Sequence, residues 1–385
     1  MEWERSGVNL RGDEQKTRAL MNASAFACQC HFCDNEQPVG NRANHIPTLD
    51  GWRALAIFMV LIQHATISAG HSIPLLSKLG PHGVQIFFVL SGYLITTRFL
   101  EDDCSLHRFY VKRVFRILPL VCLYLAVLWL LRAKLPLVRG ELLSSLFFAR
   151  NYTISAILGH NAAGWFTTHF WSLALEEQFY LLWPPILAFA GMRAGRRIAM
   201  YGVVAVFLWR VLCTFIGPSI YSPTQAWYLR PEFHFDSLLL GCVLALTWPA
   251  VRSRFKRRRL LASISFLLWI ALVVMTPSFP STLEALAVAG MITATVLHPT
   301  GLTGRLLETH PLRFVGRISY GLYVWQQLFL VPEATGHPLG RLQTWPLSIL
   351  VVFVIGATSY YAFERPLLRI GDRMWREHPR QRLST

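Results

Sequence analysis

Apolar runs alternate along the chain with short polar stretches that are mostly basic. The runs Ala54–Ala69, Leu118–Leu131, Leu261–Met275 and Leu347–Ala362 each approach the roughly 20 residues that cross the hydrocarbon core of a bilayer. Taken with the distribution of Lys and Arg, which marks the cytoplasmic side, the pattern predicts about ten spans. They lie near 52–69, 83–100, 117–131, 171–191, 198–217, 234–249, 261–276, 283–298, 318–335 and 345–363. The predicted fold is an all-α, polytopic integral membrane helix bundle. Segment 132–170 is the exception to the pattern, since its one apolar piece, Leu142–Ala149, is too short to cross. Placed outside the cell, dipping partly into the membrane, it leaves the basic clusters at 193–197 and 252–259 and the basic tail inside. The cost is that Arg132, Lys134 and Arg139 then face outward. Both termini are expected to be cytoplasmic. No internal repeat is visible, so an inverted-repeat transporter has no support.

Composition strengthens this reading. Of 385 residues, 53% are hydrophobic and only 15% charged, against roughly 25% charged in soluble domains. The formal charge of +16 sits in clusters between spans: Lys112, Arg113 and Arg116; Arg193, Arg196 and Arg197; Arg252, Arg254 and Lys256–Arg259; and the tail from Arg365 to Arg382. Basic clusters that alternate with spans set topology, and no nucleic-acid partner is expected.

Residues 1–45 are polar, unpatterned and without an apolar h-region, so they do not read as a secretory signal. The expected organisation is a cytoplasmic leader over 1–45, a membrane domain over 46–370 and a basic cytoplasmic tail over 371–385. The seven cysteines form no even framework. Cys28, Cys30, His31 and Cys33 could ligate zinc, but their spacing is more compact than paired CxxC sites and a second pair is absent. No metal site is assigned.

Ionisable residues inside spans are costly, and each is a functional candidate. Arg53 stands at the cytoplasmic mouth of the first span, with His64 eleven residues further on. That offset is about 16 Å, or three turns, and puts both side chains on one face with His64 near mid-membrane. A neutral imidazole there can take a proton from a hydroxyl, and a guanidinium at the rim can hold a phosphate. The plainer reading of His64 is a hydrogen bond across helices.

Arg113 and Arg116, at i and i+3 before the third span, suit a pyrophosphate or a phosphorylated ribose. Such a pair is also the usual positive flank of a span. Trp171-Ser172-Leu173 leads to Glu176, Glu177 and Tyr180 at what the topology makes the external mouth of the fourth span. Glu176 fits a solvated first-turn residue. Glu177 fits either acceptor-side chemistry or a structural ion pair with an arginine. Asp236 opens the sixth span and either caps it or meets a cation. Tyr320 and Tyr323 fit interface anchors. Gln326 and Gln327 lie within the ninth span. Ser91-Gly92-Tyr93 reads as close helix packing rather than a nucleophile. No GxSxG elbow is present.

These pieces occur together in a fixed order. They are Leu49-Asp50-Gly51-Trp52-Arg53-Ala54-Leu55-Ala56 running to His64; Gly83 to Ser91-Gly92-Tyr93-Leu94; Arg113-Val114-Phe115-Arg116-Ile117-Leu118-Pro119; and Trp171-Ser172-Leu173 to Phe179-Tyr180. Then follow Phe235-Asp236 to Gly241, Gly316-Arg317-Ile318-Ser319-Tyr320-Gly321-Leu322-Tyr323, and Glu364-Arg365-Pro366. In this the chain resembles the membrane acyltransferase-3 family, of the O-antigen and exopolysaccharide O-acetylase type, over about residues 45–370. The resemblance implies that His64 is the essential catalytic residue, that Arg113 and Arg116 are the paired arginines linked to an acyl-CoA donor, and that Glu177 matches a recurrent acidic position. Asp50, Ser91, Tyr180, Asp236 and Tyr323 fall within the matching stretches and are further candidates. Gln326 departs from the pattern, since many relatives carry a His there. No appended hydrolase-like domain is seen, so the bundle is expected to carry the whole reaction.

The expected activity is transfer of an acyl group, most often acetyl, from acyl-CoA to a hydroxyl of a carbohydrate or lipid-linked glycan, with no bound cofactor. Arg53, Arg113 and Arg116 would hold donor phosphates. His64 would act as base or acyl carrier, and the acceptor would enter from outside near Glu177. The family implies a bacterial inner membrane. A transporter or flippase of a lipid-linked glycan, or a non-catalytic assembly partner, would also bury polar residues, but neither accounts for cationic groups gathered at one cytoplasmic mouth.

Overall fold

The computed structural model describes residues 46–70, 73–102, 104–154, 164–220, 226–254, 258–275 and 282–376. The leader, with its Cys28, Cys30, His31 and Cys33 cluster, and the end of the basic tail lie outside the described residues. Each predicted apolar stretch falls on a helix, and no strand occurs among the described residues.

Helix α1 spans Pro47–Ser68. Pro47 suits the first turn because the N–H it lacks would have had no partner there, and Asp50 complements the helix dipole. Helix α2 is Leu79–Glu101. Helix α3, Leu106–Leu130, is capped by Ser105, whose hydroxyl accepts from the Arg108 N–H at 3.4 Å. The described residues of segment 132–170 form three short helices, α4 (Glu141–Leu146), α5 (Arg150–Thr153) and α6 (Trp165–Thr168).

Helix α7, Phe170–Ile220, is two arms broken at Gly191, with φ 72° and ψ 173°. Only glycine adopts that backbone without strain, so the break between the fourth and fifth stretches falls just before Arg193. Then come α8 (Phe235–Arg254), α9 (Arg258–Met275), α10 (Thr282–Leu297), α11 (Leu302–Leu307), α12 (His310–Phe329) and α13 (Leu347–Ser359). A π-helical turn, Tyr360–Glu364, leads into α14 (Arg365–Arg376). The ninth stretch was expected to run to 335. Its helix ends at Phe329, where Leu330 turns out of helical geometry (ψ 81°) ahead of Pro332.

Four helical stretches, Leu76–Glu101, Leu106–Leu130, Phe235–Arg252 and Leu347–Gly371, are long and apolar enough to cross a membrane. Leu260–Met275 and Thr282–Leu297 are shorter apolar helices. Large apolar side chains such as Phe189, Phe215, Leu267 and Met275 point outward. An apolar exterior of that extent suits lipid rather than water.

Helix α1 lies between α2 and α12, and α2 packs on α8. The α2–α8 crossing is close because two glycines meet it. A Cβ on Gly92 would overlap the Leu238 carbonyl, and one on Gly241 would come within 2.6 Å of the Tyr93 amide nitrogen. Small residues let backbones touch where lipid supplies no hydrophobic drive between helices. Gly316 of α12 likewise seats against the backbone of Asp50. That contact brings α12, with Tyr320, Tyr323, Gln326 and Gln327, alongside the face of α1 that carries Arg53 and His64.

Candidate active site

Arg116 on α3 lies within electrostatic reach of both Arg53 on α1 and Arg113 on α3. None of the three forms an ion pair among the described residues. Arg113 lays its guanidinium over the Tyr180 ring at 3.8 Å, and its Nε is buried without a partner. Three cations held close without direct neutralisation are unfavourable in a bundle interior unless an anion can join them.

The carboxylates nearby are Glu176, Glu177 and Glu364. Glu176 accepts from Ser91 Oγ at 2.8 Å and from the Tyr180 hydroxyl at 3.1 Å, and it feels Arg113 and Arg53. Glu177 feels Arg113, and its Oε1 is buried without a partner. Glu364, on the π-helical turn, accepts from Ser359 Oγ at 3.3 Å and faces Arg116 and Arg53. The Tyr320 hydroxyl donates to the Ile117 carbonyl at 3.0 Å, tying α12 to α3.

This arrangement corrects one expectation. Glu176 and Glu177 do not sit at a mouth opposite the arginines but beside them. The first arm of α7 starts at Phe170, which stacks on Tyr124 near the far end of α3. Nearly three turns along that arm, Tyr180 meets Arg113. An acceptor entering from the other side would not meet Glu177.

A second polar group lies at the other end. His64 contacts Gln326 through Nδ1 and Oε1 at 2.8 Å, and the Trp165 ring meets its edge at 5.4 Å. His64 stands four residues before the end of the 22-residue α1, so it is not at mid-helix. Its separation from Arg53 remains about 16 Å along the axis.

His169, one residue before α7, is buried and fully engaged. Gln327 Oε1 accepts from its backbone N–H at 3.0 Å and lies 2.6 Å from Nδ1, and the Val324 carbonyl lies 3.1 Å from Nε2. The Tyr323 hydroxyl donates to the His169 carbonyl at 2.9 Å and pairs with Ser172 Oγ. Tyr323 is therefore a tie between helices α12 and α7 rather than an interface anchor.

Asp236 meets a cation, but a structural one. Its two oxygens face the Arg210 guanidinium at 2.9 Å each, and Thr282 donates to it at 2.6 Å. Arg210 also bonds the Phe233 carbonyl. This joins α7, α8 and α10. Asp50 is buried at the α1–α12 crossing. Sequence reasoning missed His169, Glu364 and a fully buried pair, His82 and Glu284, at 2.8 Å. Glu364 lay in a quoted motif. The signal for His169 was its place beside the Phe170–Trp171 pair.

A family profile described as an acyltransferase domain, of the acyltransferase-3 type, matches residues 46–364. The chain is 32% identical over 376 residues to YrhL of Bacillus subtilis, named as a candidate peptidoglycan O-acetyltransferase, covering 86% of this chain and 56% of that protein. It is 29% identical over 362 residues to the peptidoglycan O-acetyltransferase OatA of Listeria monocytogenes, covering 85% and 56%. To the O-acetyltransferase OatA of Staphylococcus aureus it is 25% identical over 369 residues, covering 88% and 60%. The chain thus spans little more than half the length of these relatives. No solved structure matches it.

Proposed function

The chain belongs to the acyltransferase-3 family, and from that premise we propose that it transfers an acyl group, most often acetyl, from acyl-CoA to a hydroxyl of a cell-wall glycan. One observation carries the reading: Arg53 near one end of α1 clusters with Arg113 and Arg116 of α3, none of them ion-paired among the described residues, and a partly exposed imidazole lies about 16 Å further along the same face of α1. That separation is close to the length of an extended pantetheine arm. The arginines would take the pyrophosphate and ribose phosphate of the donor, and the thioester would reach His64. Ser91, Tyr180, Glu176 and Glu177 would hold Arg113 in place, so Glu177 serves the donor end.

The chemistry balances in either of two orders. In one, His64 takes the acceptor O–H proton as the oxygen attacks the thioester carbon. The C–S bond then breaks and the proton passes to the CoA thiolate. In the other, the imidazole first accepts the acyl group with loss of the thiolate, and the hydroxyl oxygen then displaces the imidazole from the acyl carbon while its proton passes to the thiolate.

The proposed topology has ten crossings of a bacterial inner membrane, both termini cytoplasmic and segment 132–170 outside, above His64. The names of the relatives in B. subtilis and L. monocytogenes support a peptidoglycan acceptor. The test is release of free thiol from acetyl-CoA by the purified chain in nanodiscs. The wild type should turn over acetyl-CoA and His64→Ala should not. Equal turnover by both, at equal yield, would exclude His64 from the chemistry. No turnover by the wild type, with acceptor oligosaccharide supplied, would remove the transferase reading.

A further inference from the structure

We propose that Gln326 is a positioning residue that makes Nε2 the reacting nitrogen of His64, an inference that rests on the acyl-transfer reading above. Adjacent glutamines on α12 hold two histidines from different elements, and the contrast between the two carries the argument. Gln327 reaches His169, whose other ring nitrogen faces the Val324 carbonyl at 3.1 Å. Both nitrogens of His169 are thereby faced by carbonyl oxygens, to only one of which a neutral ring can donate, and the residue is only 3% exposed. Gln326 reaches His64 at Nδ1 alone, and Nε2 has no partner among the described residues.

A carbonyl oxygen only accepts. With the Gln326 amide placed so that Oε1 faces the ring at 2.8 Å, the proton of the neutral ring sits on Nδ1 and the lone pair falls to Nε2. Free imidazole in histidine favours the opposite tautomer, with the proton on Nε2. Gln326 therefore imposes a form that His64 would not mostly adopt alone. Gln326 is fully buried, and its amide Nε2 has no hydrogen-bond partner among the described residues. The Trp165 edge limits rotation of the same ring. Among the described residues no carboxylate pairs with His64, and His64 lies within electrostatic reach of His169.

In the transfer step, Nε2 takes the acceptor proton while the new O–C bond forms and the C–S bond breaks. The proton then leaves Nε2 for the thiolate, so the imidazole is regenerated with Nδ1–H unchanged. If the acyl group instead visits the ring, it is again Nε2 that carries it.

The first arm of the test needs no turnover. Nitrogen-15 spectra of histidine-labelled protein in nanodiscs, assigned by difference against His64→Gln, should show His64 with Nδ1 protonated and Nε2 bare. In Gln326→Leu the signal should move toward the Nε2–H form. An Nε2–H signal in the wild type would overturn the proposal, because the amide would then be turned to donate to Nδ1.

The second arm is kinetic. Gln326→Leu should lower turnover at saturating acetyl-CoA on the order of 10–100-fold, as losing an outer-shell partner does elsewhere, with little change in KM for acetyl-CoA. Gln326→Glu, which keeps the acceptor, should lose less. Its added charge should favour imidazolium and move the acid limb of the profile to higher pH. Unchanged turnover and pH profile in Gln326→Leu, beside an inactive His64→Ala, would overturn the inference alone. An active His64→Ala would exclude His64 from the chemistry and overturn this role for Gln326, whereas a wild type without turnover would overturn the acyl-transfer reading, and the spectra would still decide the tautomer.

Discussion

At the residue scale, the arginines are the part of the site whose chemistry can be weighed. Replacing Arg113 and Arg116 together by Ala should weaken acyl-CoA binding by about tenfold or more, since a hydrogen bond to a charged group is worth about 1.5–3 kcal/mol. Arg113→Lys should recover only part of the loss, because an ammonium lacks the planar fork and stacks less well on Tyr180. Isothermal titration with a non-hydrolysable acyl-CoA checks both, and unchanged affinity in the double variant would reduce these arginines to topology signals. The pairing of Arg53 with His64 was legible in the sequence, because an eleven-residue offset on one helix fixes a common face. The neighbourhood of Glu177 was not. It depends on how far into the bundle α7 begins, and no periodicity within α7 contains that distance.

At the element scale, segment 132–170 departs most from a simple apolar alternation. Its short helices are joined by a buried pair, Arg150 and Glu141, at 3.4 Å. Thr167 donates to Glu141 at 2.9 Å and the Val138 N–H donates to it at 2.9 Å. Burial holds the Glu141 carboxyl above its ordinary value, while the Thr167 and Val138 bonds and the Arg150 charge pull the other way. Burial likewise lowers the Arg150 guanidinium, against the pull of Glu141.

A carboxyl whose folded value is raised binds protons on folding. Its contribution is therefore most favourable below the unfolded value and falls as pH rises toward the folded one. Amide exchange in 141–153, corrected for intrinsic rate, should reveal more opening at about pH 7 than at about pH 4. Glu141→Gln should flatten that difference. A flat profile in the wild type would show that Glu141 does not titrate with opening of the segment. The sequence marked this stretch as irregular but not its core, because an ion pair between residues nine apart in a folded-back segment has no periodic signature.

At the scale of the whole molecule, the proposed reaction needs donor and acceptor to approach His64 from opposite sides. On a background with the native cysteines replaced, a Cys at the exposed Arg139 should react with an impermeant maleimide in intact cells, and a Cys at the exposed Arg196 should not. Labelling at 196 with protection at 139 would invert the topology and defeat a cross-membrane mechanism. The amino-acid sequence by itself determined the helical class, the stretches that become helices, the family and the residues that stand three turns apart on α1. Those properties are local or periodic: burial in lipid demands apolar runs, and a helix converts spacing into facing. Only the tertiary structure decided that Glu176 and Glu177 join the arginines, that Asp236 is taken up by Arg210, and that adjacent glutamines on α12 divide the two histidines into an occupied one and a half-open one. Each of these rests on contacts between helices far apart in the chain. Their relative depth is set by close glycine crossings and interhelical hydrogen bonds, for which a linear pattern of apolar and polar residues holds no coordinate.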